Sequence, residues 1–410
     1  MYSSLGEGTT RRVAVIVDKY PCLSESFVRR ELTCLQSFGF RLLVLTCSPA
    51  LGSDQLLSPE LQLTVVHSHE WARSPGLRIQ VAKEMLRELP RSHSLFPSGL
   101  PGSRASVRAA WTAAALSHPL RNFRPHWVHS HFLGMPAAVA CLLSERLQVP
   151  FSVSAHARDV FVPMVQVAKV CAQARFVTVC SQHAQTALID QLPAGLENAI
   201  VHIPHDVECA PNLPKLREPA GPEFRLLSVC RLVPKKGLDT VLHALALLQS
   251  ESPDRYRYRI LGGGPERTRL MELAHSLKLN RVEFVGPVSP VTVQKELVEA
   301  DAFVLGTRTA PDGDRDGIPN AILEAMAAGS PVVVSDAGGI SEVIQHHETG
   351  WLVPANDPVS FAQALREVAS DDLLRRRIIR NAHAAIWKRV SGNRNSTALA
   401  LRLASEMSQV

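Results

Sequence analysis

The chain has 410 residues, 46% hydrophobic and 20% charged, with a formal net charge of +6. That is too long for one ordinary core and comfortable for two domains. The charge is modest and Lys/Arg are mixed with Asp/Glu, which argues against a nucleic-acid-binding arm.

From the N-terminus, Arg11-Arg12 precede an apolar run, Val13 to Val17, that stops at Asp18. The run is too short for the apolar region of a secretory signal and reads as a first strand. Further strands are expected at 41–46, 62–66, 127–130, 151–154, 176–180 and 200–204, with helices at 26–38, 136–146 and 182–191. Residues 74–125 are helical and basic, with a Pro/Gly/Ser break at 97–103. This segment is compatible with covering a substrate, touching a membrane surface, or being an insertion. Pro211, Pro214, Pro219 and Pro222 then mark a domain boundary. The pattern restarts with strands at 224–229, 258–261, 282–285, 302–305, 331–335 and 351–353, and helices at 238–249 and 267–277.

Strands alternating with helices predict an α/β protein: two tandem doubly wound parallel-sheet, Rossmann-like domains facing a cleft. The expected division is 1–210, a linker at 211–222, 223–388, and a last helix at 389–410 that would cross back to the first domain. The eight cysteines stand singly, without a C-x-x-C pair or zinc spacing, and are expected as reduced core thiols. No apolar stretch is long enough to span a bilayer, and a cytoplasmic location is expected by default.

The richest segment is 312–329, DGDRDGIPNAILEAMAAG. A helix is expected to begin near Pro319 and stop near Gly329. Its N-terminal N–H groups and dipole favour an anion such as a diphosphate, and Gly317 lets backbone approach a ligand. Asp316 falls at the helix mouth. Glu324 lies about a turn inside, on an apolar-flanked stretch where a carboxylate wants partners such as vicinal sugar hydroxyls. Arg231 and Lys236, in VCRLVPKKG, follow a strand end and can neutralise a diphosphate leaving group. Gly262 to Gly264 follow another strand. They lack the dinucleotide fingerprint because Arg267 replaces its last glycine, so they let backbone approach a nucleotide or simply make a turn. His156, after a strand in SAHARDVF, can donate to a sugar hydroxyl. His129 and His131 alternate as strand metal ligands do, but no third ligand is evident. Asp312 and Asp314 are read as loop acids, with no metal site expected.

Together these motifs resemble the family-4 retaining glycosyltransferases of the GT-B fold. RLVPKKG, GGGPER, VEFVGPVS, DGIPNAILEAMAAGSPVVVSDAGGISEVI and TGWLV carry the likeness in the second half. VDKYPCLSESFVRREL, VHSHF and SAHARDVF look like the branch that builds bacterial exopolysaccharides, capsules and colanic-acid-type polymers. The resemblance implies that Arg231 and Lys236 hold the donor diphosphate and Glu324 the ribose. Asp316 with the backbone of Gly317, Ile318, Pro319 and Asn320 would hold the donor sugar. His156 would meet that sugar from the opposite lobe, Gly286 to Val288 the base, and Gly263 and Gly264 would line the nucleotide. It implies retention, no metal and no cofactor beyond the nucleotide-sugar donor. The acceptor would be a saccharide or lipid-linked saccharide, with peripheral association at the inner membrane face. A nucleotide-sugar epimerase and a non-catalytic nucleotide-sugar-binding homologue are the competing readings. The family usually has glutamate where this chain has Asp316, and commonly an Asn-Gly-Val-Asp run where it has His205-Asp206-Val207-Glu208.

Overall fold

The computed structural model describes residues 11–22, 25–49, 63–70, 75–97, 102–214, 223–390 and 393–409. They fall into two compact units, one from residues within 1–180, 185–204 and 395–410, the other from 181–184 and 205–394. Residues 215–222 of the expected linker, 98–101 of the expected break, Gln62 of the third expected strand and 391–392 lie outside the described residues.

In chain order the first elements are β1 (Arg12–Val17), α1 (Ser26–Ser37), β2 (Arg41–Thr46), β3 (Thr64–His67), α2 (Pro75–Ser94), α3 (Gly102–Phe123), β4 (Trp127–His131), α4 (Met135–Leu147), β5 (Phe151–Ala155), α5 (Ala157–Phe161), α6 (Val167–Gln173), β6 (Val177–Val179), α7 (Gln182–Ile189) and β7 (Ile200–His202). The strands form a seven-stranded sheet in the order β3-β2-β1-β4-β5-β6-β7. Every pairing in it is parallel. β4 and β5 are buried along their whole length, as strands covered on both faces must be. The basic segment is two helices, α2 and α3, packed on each other.

The second series is β8 (Phe224–Val229), α8 (Leu238–Glu251), β9 (Tyr256–Leu261), α9 (Arg267–Ser276), β10 (Val282–Gly286), α10 (Pro290–Glu299), β11 (Ala302–Leu305), α11 (Asn320–Ala327), β12 (Val332–Asp336), β13 (Trp351–Pro354), α12 (Pro358–Ser370), α13 (Asp372–Val390) and α14 (Arg394–Met407). Its six-stranded sheet runs β10-β9-β8-β11-β12-β13, also parallel. The doubly wound α/β class expected from the alternation is what forms, twice. α13 buries Ile378, Ala382 and Ile386 in the second unit's core. α14 instead sets Leu399, Ala400, Leu403 and Ala404 against Val13, Val15, Leu32 and Leu35 of the first. Those four positions repeat at helical spacing, giving one apolar stripe. None of the eight cysteines is bridged, and Cys34, Cys47, Cys141 and Cys171 are buried.

Candidate functional site

In the second sheet the strand order reverses between β8 and β11, which lie side by side with Ala302 opposite Leu226 and Phe303 opposite Leu227. Loops leaving two such neighbours in opposite directions open a crevice beyond their carboxyl ends, where ligands of these sheets bind. The loop after β8 carries Arg231, Lys235 and Lys236. The loop after β11 carries Asp312, Asp314 and Asp316 and leads into α11.

Those two loops are joined by ion pairs. Lys236 Nζ donates to Asp316 Oδ2 at 2.6 Å. Lys235 Nζ donates to Asp314 Oδ1 at 2.9 Å and lies 3.2 Å from Asp316 Oδ1. The side chains of Lys235, Lys236, Asp314 and Asp316 are only 5–13% exposed, so four charges of alternating sign are largely withdrawn from water. Burial alone drives the Asp316 carboxyl up; Lys236 and then Lys235 outweigh it and hold it below the ordinary carboxylate range. Beside it, burial pushes the Cys230 thiol up to about 12, so it is no thiolate. Arg231 is exposed at the same sheet edge.

Asp314 is therefore not a solvated loop acid; it is buried and committed to Lys235. Asp312 makes a local turn, its Oδ1 accepting from the Asp314 N–H at 3.0 Å. This corrects the sequence reading of both as loop acids for Asp314 alone. Lys235 was missed altogether. The available signal was a second lysine next to the first, opposite acids at alternating positions.

Asp316-Gly317 is held from behind by the loop after β12. Gly339 N–H donates to the Gly317 carbonyl at 2.9 Å. A Cβ on Gly338 (φ +66°) would come 1.9 Å from the Asp316 carbonyl oxygen, so only glycine fits. Helix α11 starts at Asn320, with Pro319 as its extended N-cap rather than its first helical residue. Pro319 lacks an N–H, so the first backbone donors at this helix mouth come from Asn320 onward. Gly317, Ile318 and Pro319 are buried and Asn320 half-buried; the Asn320 side-chain oxygen lies 3.0 Å from His205 Nδ1. Glu324 is half-buried on α11, between Leu323 and Ala325 of the core.

Between the two roles left open for 262–264, packing accounts for the outer glycines. A Cβ would lie 1.9 Å from the Cys230 carbonyl oxygen at Gly262 and 2.4 Å from the Leu232 carbonyl oxygen at Gly264. The Leu232 N–H donates to the Gly263 carbonyl at 2.9 Å, and the Gly262 N–H to the Gly286 carbonyl at 2.8 Å. The loops after β8, β9 and β10 thus form one backbone-bonded rim. Val288 is partly buried beside it.

The first unit carries the remaining residues. His156 follows β5 as the N-cap of α5, and Asp159 Oδ2 accepts from its backbone N–H at 3.1 Å and from Leu133 N–H at 2.9 Å. Its ring lies 4.7 Å from that of Phe27 and 4.6 Å from that of Phe132, and stacks at 6.1 Å on His131. Phe27 and Phe132 were not singled out by sequence reasoning. Glu31, from α1, is the third group beside His129 and His131, with ligand-type atoms within 4.8 Å of one another. Glu31 Oε2 is 3.5 Å from His131 Nε2. Both His129 nitrogens are already engaged, Nδ1 with Ser152 Oγ at 2.8 Å and Nε2 with Ser154 Oγ at 3.1 Å, so we read a hydrogen-bonded cluster rather than a metal centre. Burial pushes the His129 imidazole down to about 4, leaving it neutral.

Residues 213–385 match the family described as Glycosyl transferases group 1. The matched residues lie within the second unit. The putative colanic acid biosynthesis glycosyltransferase WcaL of Salmonella typhimurium is 40% identical to this chain over 153 residues, 37% of each chain. The amylovoran biosynthesis glycosyltransferase AmsK of Erwinia amylovora is 38% identical over 159 residues, 38% of this chain and 39% of its own. The matched stretch therefore spans well under half the length of these relatives. The likeness is to the exopolysaccharide-type branch. Among solved structures, Anabaena HepE in complex with UDP-glucose superposes with a TM-score of 0.71 at 17% identity, over 97% of this chain and 100% of that one. Sucrose-phosphate synthase from Thermosynechococcus elongatus gives 0.72 at 18% identity, over 98% and 100%. At such identities these structures establish the GT-B fold alone.

Proposed function

We propose that this chain is a retaining glycosyltransferase moving a sugar from a nucleotide-diphosphate donor to a saccharide or lipid-linked saccharide, in exopolysaccharide or capsule synthesis. The observation that carries the reading is the gathering of Arg231, Lys236 and the mouth of α11 at the strand-order reversal of the second sheet, within the residues that match the group 1 glycosyl transferases. Cations and helix N–H groups converging on one crevice suit a diphosphate. The relatives named for colanic acid and amylovoran, and the HepE complex with UDP-glucose, support the substrate classes.

Arg231 and Lys236 would hold the diphosphate, and Glu324 would accept from the ribose hydroxyls. Asp316 and the backbone of Gly317 to Asn320 would hold the sugar, with Gly263, Gly264 and Val288 lining the nucleotide. His156, its ring gripped by Phe27 and Phe132, would donate to a saccharide hydroxyl. In the transfer the bond from the anomeric carbon to the diphosphate breaks, and its electron pair leaves on the diphosphate. The acceptor hydroxyl oxygen bonds the same carbon from the same face, and its proton passes to a diphosphate oxygen. Arg231 and Lys236 offset the charge that develops, a task for which no metal is then required.

Among the described residues no helix is long and apolar enough to cross a membrane. For a lipid-linked acceptor we propose peripheral contact at the cytoplasmic membrane face through α2. Its outer face carries Ile79 and Leu86, both more than 60% exposed, beside Arg78, Lys83 and Arg87, while its acids Glu84 and Glu88 are buried. Such a face suits an anionic lipid surface.

The test is a panel of UDP-, GDP- and ADP-sugars with saccharide acceptors. Acceptor-dependent release of nucleoside diphosphate is expected with at least one donor. An altered sugar still on its nucleotide would point to an epimerase instead, and binding without turnover to a binding protein.

A further inference from the structure

Lys236 has two claims on it. In the structure its ammonium is spent on Asp316 Oδ2, at 2.6 Å. In the proposed reaction it holds a phosphate. A carboxylate as buried as Asp316 cannot stay ionised without a cation, so diverting Lys236 would leave Asp316 to be protonated or displaced. Lys235 meets this difficulty. It lies 3.2 Å from the other Asp316 oxygen, Oδ1, and is itself anchored by Asp314 at 2.9 Å.

Resting on the donor-site reading above, we propose that Lys235 is a positioning residue. It keeps Asp316 an anion, in place, while Lys236 turns to the ligand's phosphate. The consecutive lysines divide the work: Lys236 serves the ligand, Lys235 the protein's own carboxylates. Local charge supports this division. Asp314, Lys235, Asp316 and Lys236 sum to zero before binding. With Lys236 given to the phosphate, the other three sum to −1, and Lys235, within 3.2 Å of both carboxylates, is the cation of the four that still faces Asp316, whose Oδ2 is exchanged from an ammonium to a hydroxyl donor. Lys235 cannot serve the phosphate in the same way, since two carboxylates already share its ammonium. Its backbone is fixed too: the Arg308 N–H donates to the Lys235 carbonyl at 3.0 Å, tying the two loops independently of the side chains.

The consequence is a separation of recognition. Lys236 governs affinity for the nucleoside diphosphate, and Lys235 governs the added contribution of the sugar. The experiment is calorimetry on the full chain with UDP, GDP and ADP and with UDP-glucose, GDP-mannose and ADP-glucose. The variants are Lys235→Met, Lys235→Arg, and the double variant Lys235→Met with Asp314→Asn, which removes both buried partners and guards against misfolding from a stranded Asp314. In the double variant, affinity for the free diphosphate is expected to stay within about threefold of wild type. The ratio of nucleotide-sugar to diphosphate affinity is expected to fall by about tenfold, the scale of one lost charge-assisted hydrogen bond, with partial recovery in Lys235→Arg. An unchanged ratio, or a proportional loss of both affinities, overturns the assignment of Lys235. Failure of wild type to bind any of the six ligands would instead overturn the donor-site reading beneath it.

Discussion

In both units the strand order reverses between two adjacent parallel strands, β1 and β4 in the first and β8 and β11 in the second. The same topology opens a crevice in each, yet the side chains delivered there differ. At β8/β11 they are charges: Lys235, Lys236, Asp314 and Asp316 in alternating ion pairs, with Arg231 exposed beside them. At the ends of β4 and β5 they are mainly rings: Phe132, His131 and His156 with Phe27 of α1, Glu31 beside His131, and His129 with its serines beneath. A fold of this kind chooses where a ligand sits, and the loop residues choose its chemistry. Charge suits a diphosphate; flat rings with a hydrogen-bonding nitrogen suit a saccharide.

The largest effect that would break this contrast is on turnover. Lys236→Ala and Glu324→Ala should each lower acceptor-dependent diphosphate release by about 10²–10³-fold, as loss of one charge-stabilising group does elsewhere. Steady-state rates on the donor found in the panel check this. Retained turnover in both variants would remove the second unit's claim to the donor.

Much of that contrast was legible in the sequence, and the reason is local. β11 is an uninterrupted aliphatic and aromatic run, β8 is a mainly apolar run broken by Arg225 and Ser228, and both form over the residues expected. Glycine after a strand and proline before a helix mark loops wherever they occur. What stayed hidden was non-local. Lys235 and Asp314 are 79 positions apart, and only the adjacency of β8 and β11 turns them into a pair. Glu31 was invisible beside His131 for the same reason. The five-residue α5 and seven-residue α6 are too short to show a helical period.

The next effect bears on the first unit's integrity. Leu403 is fully buried against β1, β2 and α1. Leu403→Ala should cost about 2–5 kcal/mol. Denaturant melts should show the loss in the unit that α14 completes, and diphosphate affinity of the folded protein should stay as in wild type.

A smaller effect separates the units by pH. The His129 imidazole is held near 4 in the fold against 6.5 in the open chain, so below pH 6.5 the unfolded chain takes up a proton that the folded one refuses. Stability should fall between pH 6.5 and 4 by at most about 3 kcal/mol from this group, and change little from it at higher pH. His129→Gln should flatten that slope in melts across the same range; an unaltered slope would refute the assignment. Asp316 behaves differently: its lowered carboxyl contributes stability that persists until the pH falls below the ordinary carboxylate range.

The smallest effect distinguishes the cations of one site. Arg231 is exposed and therefore screened. Arg231→Ala should cost about tenfold in diphosphate affinity at low salt, and less as salt rises, whereas the Lys236→Ala deficit should persist.

The most direct measurement is calorimetry of UDP, GDP and ADP against wild type and Lys236→Ala. The account predicts that wild type binds at least one of the three and that the variant loses that affinity by tenfold or more. Equal affinity in the two proteins would contradict it, because the diphosphate would then lie elsewhere than between β8 and α11.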